Sequence, residues 1–286
     1  MTNSGLGRVR NAFLCVLFLH FLCVASFAVK YRQFDVPGAA YTTILGINSV
    51  GEMVGQYYLP NSPATGFLYS NGSFRDINYP GTTDDAANGI NDQGDIVGTY
   101  YADALHSFLY HDGQFTEIAY PGATSTEASG INDAGDIVGG YVDTASKWHG
   151  FLLHEGVFTS IDIPGGEGTE ATGVNNQGMV SGYFTSDCDY NCDLIESFVF
   201  YQGHLHVIQI QNTWIRGIND RKQLVGDCNV VEGGDVTGCL LTGHKTQDWN
   251  YPGMYATAPY AINDSGSVVG EIQDYSNKTH GFVVGP

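Results

Sequence analysis

The feature that most constrains the fold of this chain is a phrase that returns at a nearly constant interval. The phrase is close to Gly-Ile-Asn-Asp-x-Gly-Asp-Ile-Val-Gly, and alanine replaces its first glycine in the last copy. Its six copies begin at Gly46, Gly89, Gly130, Gly173, Gly217 and Ala261, so their spacings are 43, 41, 43, 44 and 44 residues. Such a regular period indicates a repeat architecture in which each copy builds one supersecondary unit.

Each copy predicts four short antiparallel strands. In the third copy, an alternating run over Ala128–Asn132 meets an Asn-Asp-Ala-Gly turn that reverses the chain into Asp136–Val142. A second run, His149–Leu153, turns at a Glu-Gly pair into Val157–Ile163. Asn and Asp tolerate left-handed backbone and Gly supplies positive φ, so both turns suit tight hairpins. Four strands in about 40–45 residues make one propeller blade, and six copies predict an all-β, six-bladed β-propeller.

The repeat also carries a family resemblance. The phrase is followed by His-Gly-Phe at His149 and His280 and by His-Ser-Phe at His106, and in this it resembles the HAF-type extracellular repeat family. The resemblance covers essentially the whole chain after residue 30 and implies a secreted repeat protein, mostly of bacterial type. It implies no chemistry, because the family's molecular function is largely undefined. Copies four and five depart from the motif, with Glu196-Ser197-Phe198 and Thr237-Gly238-Cys239 in its place.

The N-terminus predicts export. Arg8 and Arg10 precede an apolar run, Ala12–Ala28, that ends in Ser-Phe-Ala, and this is the pattern of a secretory signal peptide over residues 1–28 with cleavage after Ala28. A membrane anchor is the alternative, but a span needs about 20 apolar residues and this run is shorter. We therefore expect a secreted or extracellular protein, or a periplasmic or cell-surface one, with a single domain over residues 29–286.

The two ends of the mature chain predict how the ring closes. The first mature strand, Tyr31–Val36, runs into Pro-Gly as the fourth strands of other copies do, whereas the last copy stops at Pro286 after its third strand. The N-terminal strand should therefore pair with Gly281–Val284 and complete the sixth blade. A ring closed in this way leaves no long unpaired sheet edge.

The charge of the mature chain excludes two classes of partner. Without Arg8 and Arg10, 9 basic side chains oppose 30 acidic ones, which gives a net charge of −21. Such a field repels nucleic acid and anionic lipid, so neither is an expected partner. No mature segment is apolar enough to span a bilayer. We expect a monomer that meets an extracellular glycan or a protein surface.

Four cysteines remain in the mature chain, and an even number in an exported protein indicates disulfides. Cys228 and Cys239 flank one loop of the fifth blade, which favours a bridge between them. Cys188 and Cys192 would then close a small loop in the fourth blade. This is the preferred pairing of three, and an oxidising compartment disfavours the alternative of a thiolate metal site.

No cofactor or metal is predicted, although calcium is an alternative. The recurring turn asparagines have aspartates beside them, but Asn is needed to build the turn, and the spacing lacks the bidentate Glu of a calcium loop. The motif histidines, His106, His149 and His280, are expected to bond to neighbouring strands rather than to a ligand.

The strand order predicts two unlike faces. The turn face carries only the tight hairpins, and the loop face carries the between-blade connections and the long loops between second and third strands. Binding residues are typically found on variable loops held by a rigid scaffold, so the loop face is the predicted binding face. The long loops are Leu59–Thr65, Ala102–Leu105, Asp143–Trp148, Thr185–Ile195, Asn229–Thr237 and Gln273–Thr279.

Carboxylates and aromatic side chains recur where the between-blade loops enter the first strands, at the predicted mouth of the central channel. The candidate ligand-binding residues are Asp85 (beside Asp84), Glu127, Glu170, Trp214 and Tyr260, with Trp148 at the end of one long loop. Such groups can hold a sugar by hydrogen bonds and ring stacking. The alternative is a solvated acidic rim, which is common in so acidic a chain.

Three functions fit these observations. The first is a non-enzymatic propeller that recognises a glycan, surface polymer or protein. The second is a polysaccharide hydrolase or lyase, provided that two mouth carboxylates stand about 5–10 Å apart. The third is a structural envelope or matrix module. No nucleophile elbow, zinc helix, phosphate loop or dinucleotide fingerprint appears, so no catalytic residue is assigned. The similarity of the copies favours binding or structure.

Overall fold

The computed structural model describes residues 30–188, 192–208, 210, 212–228, 236–243 and 245–285, with backbone only at 187–188, 192–194 and 249. The predicted signal peptide over residues 1–28 lies outside the described residues. No helix in the described part of the chain has the length and apolar character that crossing a membrane requires.

The described chain forms six four-stranded antiparallel sheets, which are the blades of a propeller. The all-β, six-bladed prediction is therefore confirmed. Blades 1 to 3 consist of β2 (Tyr41–Ile47), β3 (Met53–Tyr58), β4 (Ala64–Ser70) and β5 (Ser73–Asp76); β6 (Asp85–Ile90), β7 (Ile96–Tyr101), β8 (Leu105–His111) and β9 (Gln114–Ile118); and β10 (Ser125–Ile131), β11 (Ile137–Val142), β12 (Trp148–His154) and β13 (Val157–Ile161). Blades 4 to 6 consist of β14 (Gly166–Val174), β15 (Val180–Cys188), β16 (Cys192–Tyr201) and β17 (His204–Ile208); β18 (Trp214–Ile218), β19 (Gln223–Cys228), β20 (Thr237–Thr242) and β21 (Lys245–Trp249); and β22 (Ala256–Ile262), β23 (Val268–Gln273), β24 (Thr279–Gly285) and β1 (Lys30–Phe34).

The N-terminal strand closes the ring as predicted. β1 pairs antiparallel with β24, and Tyr31 lies opposite Val284 while Phe34 lies opposite Gly281. Phe34 is also buried against the rings of Tyr69 and Phe74 in blade 1, at centroid distances of 4.5 and 5.4 Å. One strand thus completes blade 6 and seals its joint with blade 1.

Several strand boundaries differ from the predictions, among them two in blades 3 and 4. The predicted loop Thr185–Ile195 is wrong, because β15 and β16 extend through it until Cys188 lies opposite Cys192. The strand predicted over Val157–Ile163 ends at Ile161. It ends there because the backbone N–H of Ile163 donates to the Thr169 hydroxyl instead of a neighbouring strand.

The turn asparagines build the hairpins, as predicted, and they also join the blades. In blade 3, Oδ1 of Asn132 accepts hydrogen bonds from the N–H groups of Ala134 and Asp136. Its Nδ2 donates to the carbonyl of Asn175 in the next blade, at 3.1 Å. The equivalent bonds of the other five asparagines complete a circle, and the last one runs from Asn263 back to Asn48. We call these six side chains the asparagine ring.

The core lies between and within the blades, and each third strand contributes its anchor. Five blades bury a phenylalanine completely at the same repeat position: Phe67, Phe108, Phe151, Phe198 and Phe282. Strand 2 carries glycine beneath this ring; at Gly98 an added Cβ would lie 2.1 Å from the Ala86 carbonyl oxygen. In blade 5 the phenylalanine position is Cys239, which forms the predicted disulfide with Cys228. The side chains of Cys188 and Cys192 lie outside the described residues.

Candidate functional site

The first strand of every blade lines the central channel, and its bulge sets which side chains enter. In blade 3 the register shifts between Ala128 and Gly130, so an extra residue is accommodated beside the channel. Toward the turn face the channel is lined by an aliphatic layer, formed by Ile47, Ile90, Ile131, Val174, Ile218 and Ile262. Toward the loop face the side chains differ from blade to blade, and the polar groups gather there.

Two adjoining cavities occupy this loop-face end. The channel cavity has a volume of about 230 Å³ and is lined by Glu127, Glu170, Arg216 and Tyr260 among others. The inter-blade cavity lies between blades 5 and 6, has a volume of about 260 Å³, and is lined by a second polar set. That set includes Trp214, Arg216, Asp227, Tyr260 and Glu271. Arg216 and Tyr260 line both cavities and form the wall that they share.

A series of aromatic side chains around one arginine crosses blades 4, 5 and 6. The ring of Tyr183 is nearly parallel to the indole of Trp214, with centroids 5.7 Å apart. The Arg216 guanidinium lies 5.0 Å from the Trp214 ring and 4.7 Å from the Tyr260 ring. Such cation–π contacts are strengthened where water is excluded. We call these four residues the aromatic–arginine stack.

A carboxylate holds each of Tyr183, Arg216 and Tyr260 in the stack. The Tyr183 hydroxyl donates to Oε2 of Glu170. Asp227 receives the Nε and Nη2 protons of Arg216 on its Oδ2, at 3.0 and 2.8 Å. Oε1 of Glu271 accepts from the Tyr260 hydroxyl at 3.4 Å, and its Oε2 accepts from Thr43 in blade 1. The stack is therefore fixed before any ligand arrives.

Burial and neighbouring charges shift the pKa values of the ionisable groups around the channel cavity. Burial, together with the neighbouring Glu170, raises the pKa of Glu127 to about 7. Burial also raises the pKa of Glu170, although the Tyr183 hydrogen bond and the Arg216 charge oppose this shift. Burial disfavours the charge on Arg216, but the Asp227 carboxylate together with Tyr260 and Tyr183 outweighs that effect and holds the arginine pKa above its ordinary value. Near neutral pH the Glu127 carboxyl is therefore poised to hold or release a proton.

Three of the predicted mouth residues line the channel cavity, and Trp214 lines the adjoining one. Glu127, Glu170 and Tyr260 enter the channel, whereas the Trp214 indole belongs to the inter-blade cavity. Because Tyr183 and Arg216 cover part of the indole, the group that Trp214 offers without a partner is its buried Nε1. The expectation of sugar stacking on an open Trp214 face does not fit this geometry.

Asp85 does not reach either cavity. It is buried, and its Oδ1 accepts from the Tyr79 backbone N–H at 3.0 Å and from the Thr82 hydroxyl at 2.9 Å, so it fastens the preceding Pro-Gly turn. Thr42, Thr126, Thr169 and Thr257 make the equivalent bond to the backbone in their own blades. Its neighbour Asp84 accepts from the Ala64 N–H in blade 1.

Trp148 lies at the rim, beside Glu170. A Cβ added to Gly140 would stand 2.9 Å from the Trp148 ring and 3.6 Å from Cγ of Glu170, so the indole and this carboxylate share the space that the glycine leaves. The Trp148 side chain is 37% exposed. Of the two candidate tryptophans, Trp148 is therefore the one with ring surface open to a ligand.

The sequence reasoning missed Tyr183, Arg216, Asp227 and Glu271. Tyr183, Asp227 and Glu271 occupy one repeat position, directly after the last glycine of the recurring phrase, and the other blades have Gln56, Thr99 and Gly140 there. A position-by-position comparison of the copies shows that this site changes from blade to blade while its neighbours repeat. That variation is the signal that could have found them.

The motif histidines bond within the fold, as predicted. His106 contacts Asp103 and Glu117, His149 contacts Asp143 and Asp162, and His280 contacts Asp35 and Asp274. Across the described ranges, no group of three or more His, Cys, Asp and Glu side chains is arranged to hold a metal ion.

Comparison with known proteins shows the fold class. No protein-family model matches the sequence, and no curated protein sequence is recognisably related to it. The fold is similar to AofleA from Arthrobotrys oligospora, with 12% identity, a TM-score of 0.55, and coverage of 89% of this chain and 86% of that one. It is also similar to the Aleuria aurantia lectin in complex with Fucα1-6GlcNAc, with 9% identity, a TM-score of 0.56, and coverage of 87% and 96%. TolB from Acinetobacter baumannii matches at 11% identity and a TM-score of 0.55, over 86% of this chain and 63% of that one. The chain is a six-bladed β-propeller, and its resemblance to HAF-type repeats stays a prediction.

Proposed function

We propose that this protein is an exported carbohydrate-binding propeller that holds a neutral sugar at the loop-face end of its channel. The observation that carries the proposal is the convergence of the aromatic–arginine stack with Glu127 and Glu170 around two adjoining cavities. The opposite end of the channel has only a cavity of about 80 Å³, lined by the repeated turn residues and the aliphatic layer.

The chemistry of these groups suits sugar hydroxyls. Carboxylates accept from hydroxyl groups, and arginine and indole donate to them, so one hydroxylated ring can satisfy both kinds of partner. Aromatic surface such as that of Trp148 adds contact area at a small entropic cost. Both cavities are smaller than the about 300–1,000 Å³ of sites for drug-sized ligands. Each cavity therefore suits one small unit of a larger ligand.

The charge balance selects a neutral ligand. Glu127, Glu170, Asp227 and Glu271 surround Arg216, the one cation among the described residues that line the two cavities, and Arg216 is already paired with Asp227. An anionic sugar would meet like charges on largely buried side chains, and this is unfavourable. We therefore expect neutral glycans to bind and uronic or sialic acids to be rejected.

The fold that this chain shares with a lectin and its Cys228–Cys239 disulfide both support the proposal. The Aleuria aurantia lectin has a six-bladed propeller and a fucose recognition mode, and this chain shares that fold at 10% identity. The Cys228–Cys239 bridge suits an oxidising compartment and is consistent with the predicted signal peptide and the HAF-type resemblance.

The direct test is a glycan array with the mature protein, residues 29–286, followed by calorimetric titration of each positive glycan. We expect neutral glycans among the positives, and we expect Trp148→Ala to weaken their binding about ten-fold, which is roughly 1.4 kcal/mol. Asp133→Asn, on the turn face, is the control that should bind as the wild type does. An array without any positive glycan would refute the proposal.

A second function, hydrolysis or elimination on a polysaccharide, is favoured by one observation. Glu127 has a pKa of about 7 and interacts with the carboxyl of Glu170 across the same cavity. A carboxyl group that keeps its proton near neutral pH beside a second carboxylate is the pairing that glycoside hydrolysis uses. If the protein is an enzyme, Glu127→Gln should keep binding and lose the release of reducing ends from any glycan that binds. A pure binding protein releases none in either form.

A further inference from the structure

The inter-blade cavity contains two buried polar atoms that have no hydrogen-bond partner within the described protein. They are Oδ1 of Asp227 and Nε1 of Trp214, and both residues line the cavity. The Asp227 side chain is 4% exposed, so bulk water does not compensate its free oxygen. Leaving a buried acceptor and a buried donor unsatisfied is unfavourable, and a ligand that satisfies both gains accordingly.

The free oxygen of Asp227 follows from the way in which Arg216 binds it. The guanidinium places both Nε and Nη2 on Oδ2, at 3.0 and 2.8 Å, instead of one nitrogen on each oxygen. Oδ1 therefore keeps its capacity to accept while the carboxylate charge is already balanced. A group of this kind is suited to a neutral donor rather than to a metal ion or an ammonium group.

The residues that carry the free donor and the free acceptor are cross-strand neighbours. Trp214 and Asp227 face each other across β18 and β19 as directly paired residues. Side chains at such a pair leave the same face of the sheet with Cβ atoms about 4.5–5.5 Å apart. A ligand bearing an acceptor next to a donor therefore matches this pair of residues.

Small side chains of blade 6 line one wall of this cavity, at a repeat position where four of the other blades have larger groups. Ala258 lines the cavity. The three preceding copies have Glu127, Glu170 and Trp214 at the same repeat position. Ala256, two residues earlier in β22, lines the same wall. The small side chains leave apolar wall beside the polar pair.

We infer that the inter-blade cavity is a binding site for one neutral sugar residue with two adjacent free hydroxyl groups. One hydroxyl donates to Oδ1 of Asp227, and its neighbour accepts from Nε1 of Trp214. A hydroxyl group can act in either role, so a vicinal pair offers one donor and one acceptor on adjacent carbons. The inference rests on the proposed function. It specifies where the sugar binds and that two adjacent hydroxyl groups of the sugar are recognised.

The test follows the indole N–H signals of the protein by NMR during titration with simple sugars. The chain has three tryptophans, and Trp214→Phe identifies the signal of Trp214 by its loss. The probes are the methyl glycosides of fucose, galactose, mannose and glucose, and the fully O-methylated glucoside is the ligand control. We expect at least one glycoside with free hydroxyls to shift the Trp214 signal and the methylated compound to leave it unchanged.

Two variants test the site itself. Trp214→Phe keeps an aromatic ring but removes the donor, and it should weaken binding of the active glycoside about five-fold, the equivalent of about 1 kcal/mol. Ala258→Glu should abolish binding by filling the cavity. Its matched control is Ala86→Glu, the same change at the same repeat position in blade 2, which should bind as the wild type does. Glutamate already occupies this position in blades 3 and 4, so the backbone accommodates it.

The outcomes separate this inference from the proposed function. If no glycoside shifts the Trp214 signal up to its solubility limit while the array gives positive glycans, the inter-blade site is refuted and the proposed function stands. Equal affinity of the wild type and Ala258→Glu for an array-positive glycan also refutes the inter-blade site and leaves the proposed function standing. A blank array together with unchanged indole signals refutes both.

Discussion

A single serine interrupts a valine position in the core. The second strand buries Val54, Val97, Val138, Val225 and Val269 at one repeat position, and blade 4 has Ser181 there. The Ser181 hydroxyl is completely buried and has no hydrogen-bond partner in the described structure. An unsatisfied buried hydroxyl costs about 1–3 kcal/mol.

We therefore expect Ser181→Val to stabilise the protein by about 1–2 kcal/mol, because it removes this unsatisfied group and fits a site built for valine. Denaturant unfolding of residues 29–286 measures the change. The reverse substitution, Val225→Ser, should destabilise blade 5 by a similar amount. A loss of stability in Ser181→Val would show that the hydroxyl has a stabilising role.

The pH dependence of stability is predicted by Glu127. Its ordinary pKa of 4.5 applies to the unfolded chain, and the folded value is about 7. Between these values the unfolded chain releases the proton and the folded protein keeps it, so the free energy of unfolding falls as pH rises from about 4.5 to 7. The fall attributable to Glu127 is at most about 3 kcal/mol.

Glu127→Gln mimics the protonated carboxyl at every pH. It should match the wild type in unfolding free energy near pH 5 and exceed it near pH 8. The difference between the two proteins isolates Glu127 from the histidines, since His106, His111 and His154 have raised pKa values and also lose stabilisation as pH rises. Parallel pH profiles of the two proteins would contradict the buried, proton-holding environment of Glu127.

At the scale of the strand and turn, the asparagine ring joins local and global structure. Asn132 caps two backbone N–H groups of its own hairpin and donates to the next blade with the same amide. Asn132→Ala should therefore cost about 2–4 kcal/mol, since buried backbone donors lose their acceptor and one link of the circle is broken.

Asp133→Asn is the matched control for that loss in thermal and denaturant unfolding. Asn176 occupies the same position in blade 4, where its Oδ1 accepts from the Asp133 N–H. We expect the control to change stability by less than about 1 kcal/mol. Equal effects of the two substitutions would mean that the asparagine ring adds nothing beyond ordinary turn chemistry.

At this same scale, the sequence predicts the fold better than the site. The turn residues and the alternation of apolar and polar residues determine structure within a few residues of themselves. Six copies of one phrase are therefore enough to predict the strands, the blades and the closure of the ring. The prediction of a loop over Thr185–Ile195 was wrong because polar residues there continue the pairing of β15 with β16 without an alternating apolar pattern in the sequence. Asp85 was misplaced because the neighbouring residues of a strand point to opposite faces, and the equivalent threonines already indicated its turn-fastening role. Arg216 and Asp227 acquire their importance only through contacts between blades and across strands.

For the whole molecule, closure depends on ten N-terminal residues. Removal of residues 29–38 leaves β24 with an unpaired edge and removes Phe34 from the joint between blades 6 and 1. We expect a large drop in melting temperature and a tendency to associate through the open edge. A synthetic peptide of residues 29–38 should restore part of the lost stability. An unchanged melting curve after the deletion would contradict closure by β1.

The differences among the six copies also show how a repeat protein can contain an asymmetric site. The turn face repeats its asparagines around the whole ring, whereas the loop face collects different side chains in blades 3 to 6. The turn-face asparagine positions are thus uniform because each of them joins its blade to the next one. The loop-face positions are free of that need and differ where the two cavities lie.

The most direct test of the central claim, carbohydrate binding at the loop-face end of the channel, is calorimetric titration of an array-positive glycan into Tyr260→Leu. Tyr260 lines both cavities and contacts Arg216, while leucine occupies the same repeat position in blade 1 as Leu45, so the fold accommodates the change. We predict binding at least about ten-fold weaker than that of the wild type, or roughly 1.4 kcal/mol, at an unchanged melting temperature. Affinity equal to that of the wild type would contradict the claim.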